Sequence, residues 1–589
     1  MDNRIIKKML RGTMIVMVVT VLSTMLGMLV DGIVIGRYLG QSYMSAYGLA
    51  NPIFNLLIAI NGVLAAGIQV LCSRYIGSGD FTKAKQVHTI SFITAGVIAV
   101  VLLLVMFFGG DQIAMLLGAT GKDAYLRPEA ADYIKSLGLG VPALMLAFIT
   151  NSFMQIDSDQ KRTIIAVVVM TVANITGDFI NALVIHGGLF EMGMATTISY
   201  YIALFIALTH YLKKDNVLTF KFKGLKIKDA LQVMKLGAPS GVVNLCITLR
   251  NIVMNRLLLL VATPLAVAAF SIQNTLTAAT GAISTGLGMA VLLVSGIVAG
   301  EKDRSSAINL IKIMNKWGLF IALCEMAVCL IFATPLAGIF AGSDRALLEE
   351  SAYCVRIYAF GFVGNVLNSM MENYVQGMGR VALANLLVVL DTFVYSVIVA
   401  WVLGFGFSLP LGYIWAAWAI GEGMVLLTTF FLAWKKQGHF PRRAADYSFF
   451  PKGFTEPKDS IDRTVYRFEE LADMGMAVEK FCLKHGSGDK LAKKIHLCLE
   501  EMGANIINHG FSDGKEHSID VRVIRTDAGF MIRMRDDCKS FDPKKWYEIH
   551  NPVDITRNIG IRLVFAIAKD VQYVNTMQLN NLVIELGES

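Results

Sequence analysis

The sequence predicts an α-helical membrane protein of about twelve transmembrane helices in two six-helix halves, followed by a water-soluble α+β domain. Three observations carry this prediction. Apolar segments of roughly twenty residues recur as far as residue 436 and then stop. The loops between them are alternately rich in Lys and Arg. Beyond Lys435 the composition turns polar, and the segment Glu501-Met-Gly-Ala-Asn505-Ile-Ile-Asn-His509 follows.

The 589 residues are 55% hydrophobic and 17% charged, against about 25% charged in soluble domains. The formal net charge is +8. The basic residues cluster in short loops, as the positive-inside rule describes, so membrane lipid is the expected surroundings and nucleic acid is not an expected partner. None of the eight cysteines forms a CxxC pair or a His/Cys cluster, and all are expected as reduced thiols without zinc. The basic start, from Arg4 to Arg11, precedes an apolar run that is too long for a signal peptide and lacks a small-residue cleavage site. It reads as the first span.

The spans are expected at 14–36, 45–72, 88–109, 136–156, 163–187, 190–211, 233–261, 265–299, 313–340, 352–376, 381–406 and 411–436. Trp317, Trp401 and Trp434 lie near span ends, where interfacial aromatics collect. The N-terminus, the second loop (Arg74, Lys83, Lys85), the fourth (Lys161, Arg162), the sixth (Lys213 to Lys228), the eighth (Lys302, Arg304) and the tenth (Arg380) are basic. Both termini are therefore expected in the cytoplasm, with the spans in the cytoplasmic (inner) membrane. Ile68–Asp80 and Met289–Asp303 read alike, as do the stretches after Lys161 and Gly379. The repeat implies two parallel halves, with a substrate path between them.

Ionisable side chains inside spans are functional candidates because burying them in lipid is costly. Asp31 lies in the first span. Asn174 and Asp178, four apart, share one face of the fifth. Thr196 and Thr197 lie in the sixth. Two carboxylates, an amide oxygen and a hydroxyl would suit sodium, and a carboxylate alone would suit a proton. In the second half, Arg250 or Arg356 could instead neutralise Glu372 or Asp391 in a structural pair. Asn251 falls roughly where Asp31 falls in the first half, which would concentrate cation chemistry in the first.

Residues 437–460 read as a linker broken by Pro and charge. Helices are expected at 467–484 and 488–509. Strands are expected from Ser518 and Phe530, joined by a hairpin at Thr526–Gly529. A helix opened by Asn558-Ile-Gly560 should run to about Lys569, and a second hairpin closes the chain. Glu501 and Asn505 share one helix face, suited to a base beside a magnesium ligand. Asp536 ends a strand and heads Asp-Asp-Cys-Lys-Ser-Phe541, where a buried carboxylate can accept from an adenine amino group. Gly560 at a helix start would let backbone amides meet phosphate. No GxxxxGK[ST] segment exists, which excludes a P-loop motor.

Two resemblances follow. Asp31-Gly-Ile-Val-Ile-Gly, Ala50-Asn-Pro-Ile, Gly67-Ile-Gln, Ile76-Gly-Ser-Gly-Asp80 and Gly377-Met-Gly-Arg380, in that order across twelve spans, resemble the MATE family of multidrug and toxic compound extrusion transporters. The resemblance covers about residues 10–437. It implies export of small organic compounds coupled to Na+ or H+, with the cation at Asp31, Asn174, Asp178 and Thr196 or Thr197. Phe179 stands where Pro is common, and Arg250 and Arg256 add positive charge that would disfavour an organic cation. The tail from about 461 resembles the GHKL (Bergerat) ATP-binding fold, nearest the anti-sigma-factor serine-kinase type. That implies Mg-ATP, with Glu501 as base, Asn505 as magnesium ligand, Asp536 as adenine reader, and His509, Phe541 and Gly560 at the nucleotide. Cys538 and Ser540 replace family glycines. The expected domains are residues 1–220 and 221–437 for the two lobes, 438–460 for the linker and 461–589 for the tail. The leading expectation is an exporter modulated by ATP at its tail. A membrane-tethered serine kinase or partner-switching sensor acting on a cytoplasmic protein is the alternative from another class, and a flippase for lipid-linked precursors is the alternative within transport.

Overall fold

The computed structural model describes residues 2–213, 216–342, 344–454, 459–526, 528–550 and 559–587. Lys214, Asp527 of the first hairpin and Asn558 of the last helix start therefore lie outside the described residues. The first half contains α1 (Asn3–Val34), α2 (Gln41–Gly77), α3 (Phe81–Leu116), α4 (Arg127–Ile156), α5 (Gln160–Ile180) and α6 (Leu189–Leu208). The second contains α7 (Ile227–Val261), α8 (Pro264–Thr280), α9 (Ala282–Glu301), α10 (Arg304–Ala341), α11 (Arg345–Ala359), α12 (Phe362–Gly377), α13 (Val381–Val389), α14 (Tyr395–Trp401), α15 (Leu411–Trp415) and α16 (Ala417–Gln437).

Among the described residues, eleven helical stretches are long and apolar enough to cross a membrane. Two expected spans differ: 265–299 is divided between α8 and α9, of which only α9 is in that count, and 352–376 is divided between α11 and α12 and escapes it. A Cβ on Gly361 would lie 2.6 Å from the ring of Trp418, so the indole fills the space beside the interruption. α10 is kinked at the non-helical Phe332, three residues before Pro335.

The repeat is visible in how the halves meet. Asp80 caps α3 by accepting from the Lys83 amide, and Asp303 caps α10 by accepting from the Ser306 amide. α2 and α9 touch reciprocally: a Cβ on Gly77 would lie 2.3 Å from the Ile297 oxygen, and one on Gly300 would lie 2.0 Å from the Arg74 oxygen. α2 and α7 do the same, with Gly67 against Val233 and Gly237 against Val63. Close backbone approach through small residues is how helices associate without a hydrophobic drive between them. It closes the seam between the halves at the end that faces the tail.

The tail is a two-layer α+β unit. Its five-stranded antiparallel sheet runs in the order β1 (Ser460–Val465), β2 (Ile519–Thr526), β3 (Gly529–Asp536), β5 (Leu579–Leu586), β4 (Asp570–Thr576). One face is covered by α17 (Phe468–Lys484), α18 (Asp489–Asn505) and α20 (Ile559–Ile567); α19 (Pro543–His550) lies beside them. Leu491, Ile495, Cys498, Leu499 and Met502 recur at helical spacing on the buried face of α18. α18 gives way to a π-turn at Ile506–Gly510, earlier than the expected helix end at 509. β1 falls partly within the segment read as linker, because a polar edge strand leaves little apolar alternation to see. All eight cysteines are free.

The sheet's other face rests on the ends of the spans. The β4–β5 turn is tight, with Met577 and Gln578 both at positive φ, of 53° and 63°. This is a conformation that favours Asn-Gly. Contacts to the first half offset its strain: the Met577 amide donates to the Ile156 carbonyl at 3.0 Å, and the Gln578 amide donates to the Ser158 hydroxyl at 2.8 Å.

Candidate functional site

A largely apolar cavity with a few polar groups on its wall opens inside the first half. Asp31, Asn51, Thr171, Asn174, Thr196, Tyr47, Tyr133 and Tyr200 help to line it, and no Lys or Arg does. The Asn174 amide donates to Asp31 Oδ1 at 2.7 Å and to Asp178 Oδ2 at 3.1 Å. Asp31 is 8% exposed and Asp178 is fully buried. The fourfold spacing puts Asn174 and Asp178 on one face of α5, and α1 delivers Asp31 opposite them.

The structure resolves the threonines. Thr196 faces the cavity, while the Thr197 hydroxyl donates to the Ser136 carbonyl at 2.7 Å. The nitrogen of Asn174 meets both carboxylates. Asp178 Oδ1 is buried with no hydrogen-bond partner among the described residues. Two close carboxylates with an orphaned oxygen and no basic side chain form a site that fits a cation or a proton, because uncompensated buried charge is costly.

The second half also gathers carboxylates around amides. Asn368 donates to Asp391 at 3.2 Å and to Glu422 at 2.8 Å, and Asn365 donates to Glu422 at 3.1 Å. Glu325 accepts from Ser284 at 2.8 Å. No described ion pair joins Arg250 or Arg356 to Glu372 or Asp391; Arg356 donates to Thr334 instead. Asn365 and Asn368 give little signal in sequence, since amides in apolar helices fit no spacing motif.

The tail holds a cleft of about 410 Å³, within the range of small-ligand pockets. Asn505, His509, Asp536 and Phe541 line it, over a floor of Met502, Ile506, Ile561 and Leu582. Asp536 Oδ1 accepts from the Asn580 amide at 2.7 Å and from the Cys538 backbone at 3.0 Å, and burial pushes its carboxyl up. Tyr573 and Asn580, which sequence reasoning missed, brace this wall. The Tyr573 hydroxyl pairs with Ser540 at 2.9 Å and donates to Asn580 at 2.7 Å. Glu501 stands against Gly560, where a Cβ would fall 1.9 Å from its Oε2. The glycine thus lets the carboxylate reach the start of α20, a position that favours negative charge. An apolar floor, a buried carboxylate and an amide at the rim fit a nucleotide, and Asn505 fits as the group that would hold its magnesium.

His517, Asp537 and Cys538 also come together, with ligand atoms within 4.8 Å of one another. Their sequence spacing gives no metal signature. Asp537 is already held by His517 at 2.8 Å and by Lys8 Nζ at 3.7 Å, and burial pushes the Cys538 thiol up, away from the thiolate a metal needs.

The MatE family model matches residues 16–180 and 239–402, and the model described as a histidine kinase-like ATPase domain matches residues 466–585. The chain is 25% identical over 398 residues to "Multidrug export protein MepA" of Staphylococcus saprophyticus, covering 66% of this chain and 85% of the relative. It is 24% identical over 392 residues to the protein of that name from Staphylococcus aureus strain N315, covering 66% and 85%. Among solved structures it resembles a MATE in complex with MaL6, with TM-score 0.67, 23% identity and coverage of 74% of this chain and 96% of the other. A Vibrio cholerae MATE transporter, VcmN, matches with TM-score 0.68, 19% identity and coverage of 74% and 97%. These structures share the fold. The family model spans more than half the residues, the helices repeat in two halves, and the sheet domain follows them: the chain belongs to the MatE family and carries a histidine kinase-like ATPase domain at its C-terminal end.

Proposed function

We propose that this protein is a cation-coupled antiporter that exports small organic compounds across the cytoplasmic membrane. Sodium or a proton drives it, both termini lie in the cytoplasm, and ATP binding to the tail modulates it. The observation that carries this reading is the buried pair Asp31 and Asp178, bridged by Asn174 beside a cavity in the first half. A bound cation supplies the positive charge that the pair lacks. When it leaves, two like charges in low dielectric repel, which gives the helices α1 and α5 two arrangements of different stability. The relatives' names support an organic compound as the other ligand. Transport into proteoliposomes under imposed sodium and proton gradients in turn tests the coupling ion; equal flux without either gradient refutes coupling.

For the tail, Mg-ATP titrated into the full-length protein is expected to bind, and Asp536→Asn is expected to weaken binding about tenfold or more, as loss of a charged hydrogen-bond acceptor should. Glu501→Ala should leave ion-driven transport running, since ATP is not its energy source. A serine-kinase activity of the tail is the second reading, favoured by Glu501 standing at the start of α20. Transfer of labelled γ-phosphate to protein, lost in Glu501→Ala, would establish it.

A further inference from the structure

Strand β3 has two faces with different work. Phe530, Ile532 and Met534 point into the tail's core, and the alternate residues Arg533 and Arg535 point at the ends of the spans. Arg533 Nη1 donates to the carbonyl of Gly77, the last residue of α2, at 3.2 Å. The same nitrogen pairs with Glu301, the last residue of α9, at 3.3 Å, and Arg535 pairs with that carboxylate at 2.6 Å. The Glu301 side chain is 0% exposed. Arg522 of β2 donates to the Glu301 carbonyl at 3.0 Å.

Gly77 and Glu301 lie on opposite sides of the seam where α2 and α9 touch. Opening the protein at this end requires them to separate. A single guanidinium bonded to both cannot follow both, and a buried carboxylate does not readily give up its cationic partners. We propose that Arg533, with Glu301, staples the seam between the two halves shut, and that nucleotide in the tail pocket controls the staple. The second clause rests on the reading of that pocket as a nucleotide site. Its support is connectivity. β3 ends at Asp536, the buried carboxylate in the pocket wall, three residues beyond Arg533. Lys8 of α1, the helix that carries Asp31, donates to the carbonyl of the next residue, Asp537, at 2.7 Å.

The test places spin labels at Ser78 and Lys302, exposed residues on either side of the seam in the full-length protein, and reads the distance between them. A short distance should dominate. Arg533→Ala and Glu301→Ala should each raise the long-distance population about tenfold. The double variant should do less than the sum of the two, because the side chains share one contact while each keeps a further partner, Gly77 for Arg533 and Arg535 for Glu301. Arg463→Ala, at an exposed position on β1, should change nothing. If Arg533→Ala does not fold, Arg533→Lys keeps the charge but not the two-sided reach, and should open the seam partway. Unchanged distances in these variants overturn the staple. Mg-ATP should shift the wild-type distances and leave those of Asp536→Asn unmoved; ATP that binds without moving the labels overturns nucleotide control. If ATP does not bind but Arg533→Ala opens the seam, the pocket reading fails and the staple stands.

Discussion

Asp31→Asn is expected to abolish coupled export, and Asp178→Asn to do the same. The substitution keeps the shape of the side chain and one acceptor oxygen for Asn174 but removes one of the two charges that a cation would meet. At about 4 Å and an effective dielectric near 20, one such charge is worth about 4 kcal/mol. That corresponds to roughly a thousandfold in cation affinity. Flux in proteoliposomes should fall to background in either variant, at unchanged melting temperature, because the buried network keeps its packing. Thr196→Ala should weaken cation binding, whereas Thr197→Ala should act through the Ser136 contact on stability instead. Export that persists in the Asp31→Asn, Asp178→Asn double variant would remove the cation site from the first half and turn attention to Asp391 and Glu422.

The second large effect is expected at Gly237. A Cβ there would lie 1.7 Å from the Val63 oxygen, and that oxygen belongs to backbone, which cannot swing aside. Gly237→Val must therefore push α7 away from α2. Overpacking of this kind costs about 1–3 kcal/mol. Part of that cost should appear as a lower melting temperature and part as a seam that opens more readily at the tail side. The same labels at Ser78 and Lys302 read the second part. Gly423→Val is the contrast, since a Cβ at Gly423 meets nothing within 4 Å. A Gly237→Val protein as stable and as closed as wild type would mean that the halves are not in contact there.

Much of this was legible in one dimension. A span needs a run of apolar residues, and such a run is local, so most helices could be located, although several begin about ten residues earlier than expected, as α1 does at Asn3 and α4 at Arg127. The close packing of Trp418 against Gly361 was not legible, because the two lie 57 positions apart in sequence. Asp31, Asn174 and Asp178 stood out because charge is rare in spans. Asn365 and Asn368 did not, and only the fold places them on Asp391 and Glu422. In the tail, Glu501, Asn505 and Asp536 fell at readable spacings. Tyr573 and Asn580 come from a hairpin that folds back on Asp536, and nothing near them in sequence announces it.

The sequence alone determined the change of solvent near Lys435, the two-half repeat, the two families the parts resemble and the acids worth testing. These rest on composition and on short-range periodicity, which water and lipid impose residue by residue. The tertiary structure decided which threonine faces the cavity, which atom of Asn174 meets the acids, and that the tail lies against both halves. Those depend on pairs such as Glu301 with Arg533 and Gly77 with Ile297. Members of such pairs lie more than two hundred residues apart. Only the shared packing of the helices and the sheet brings them within reach.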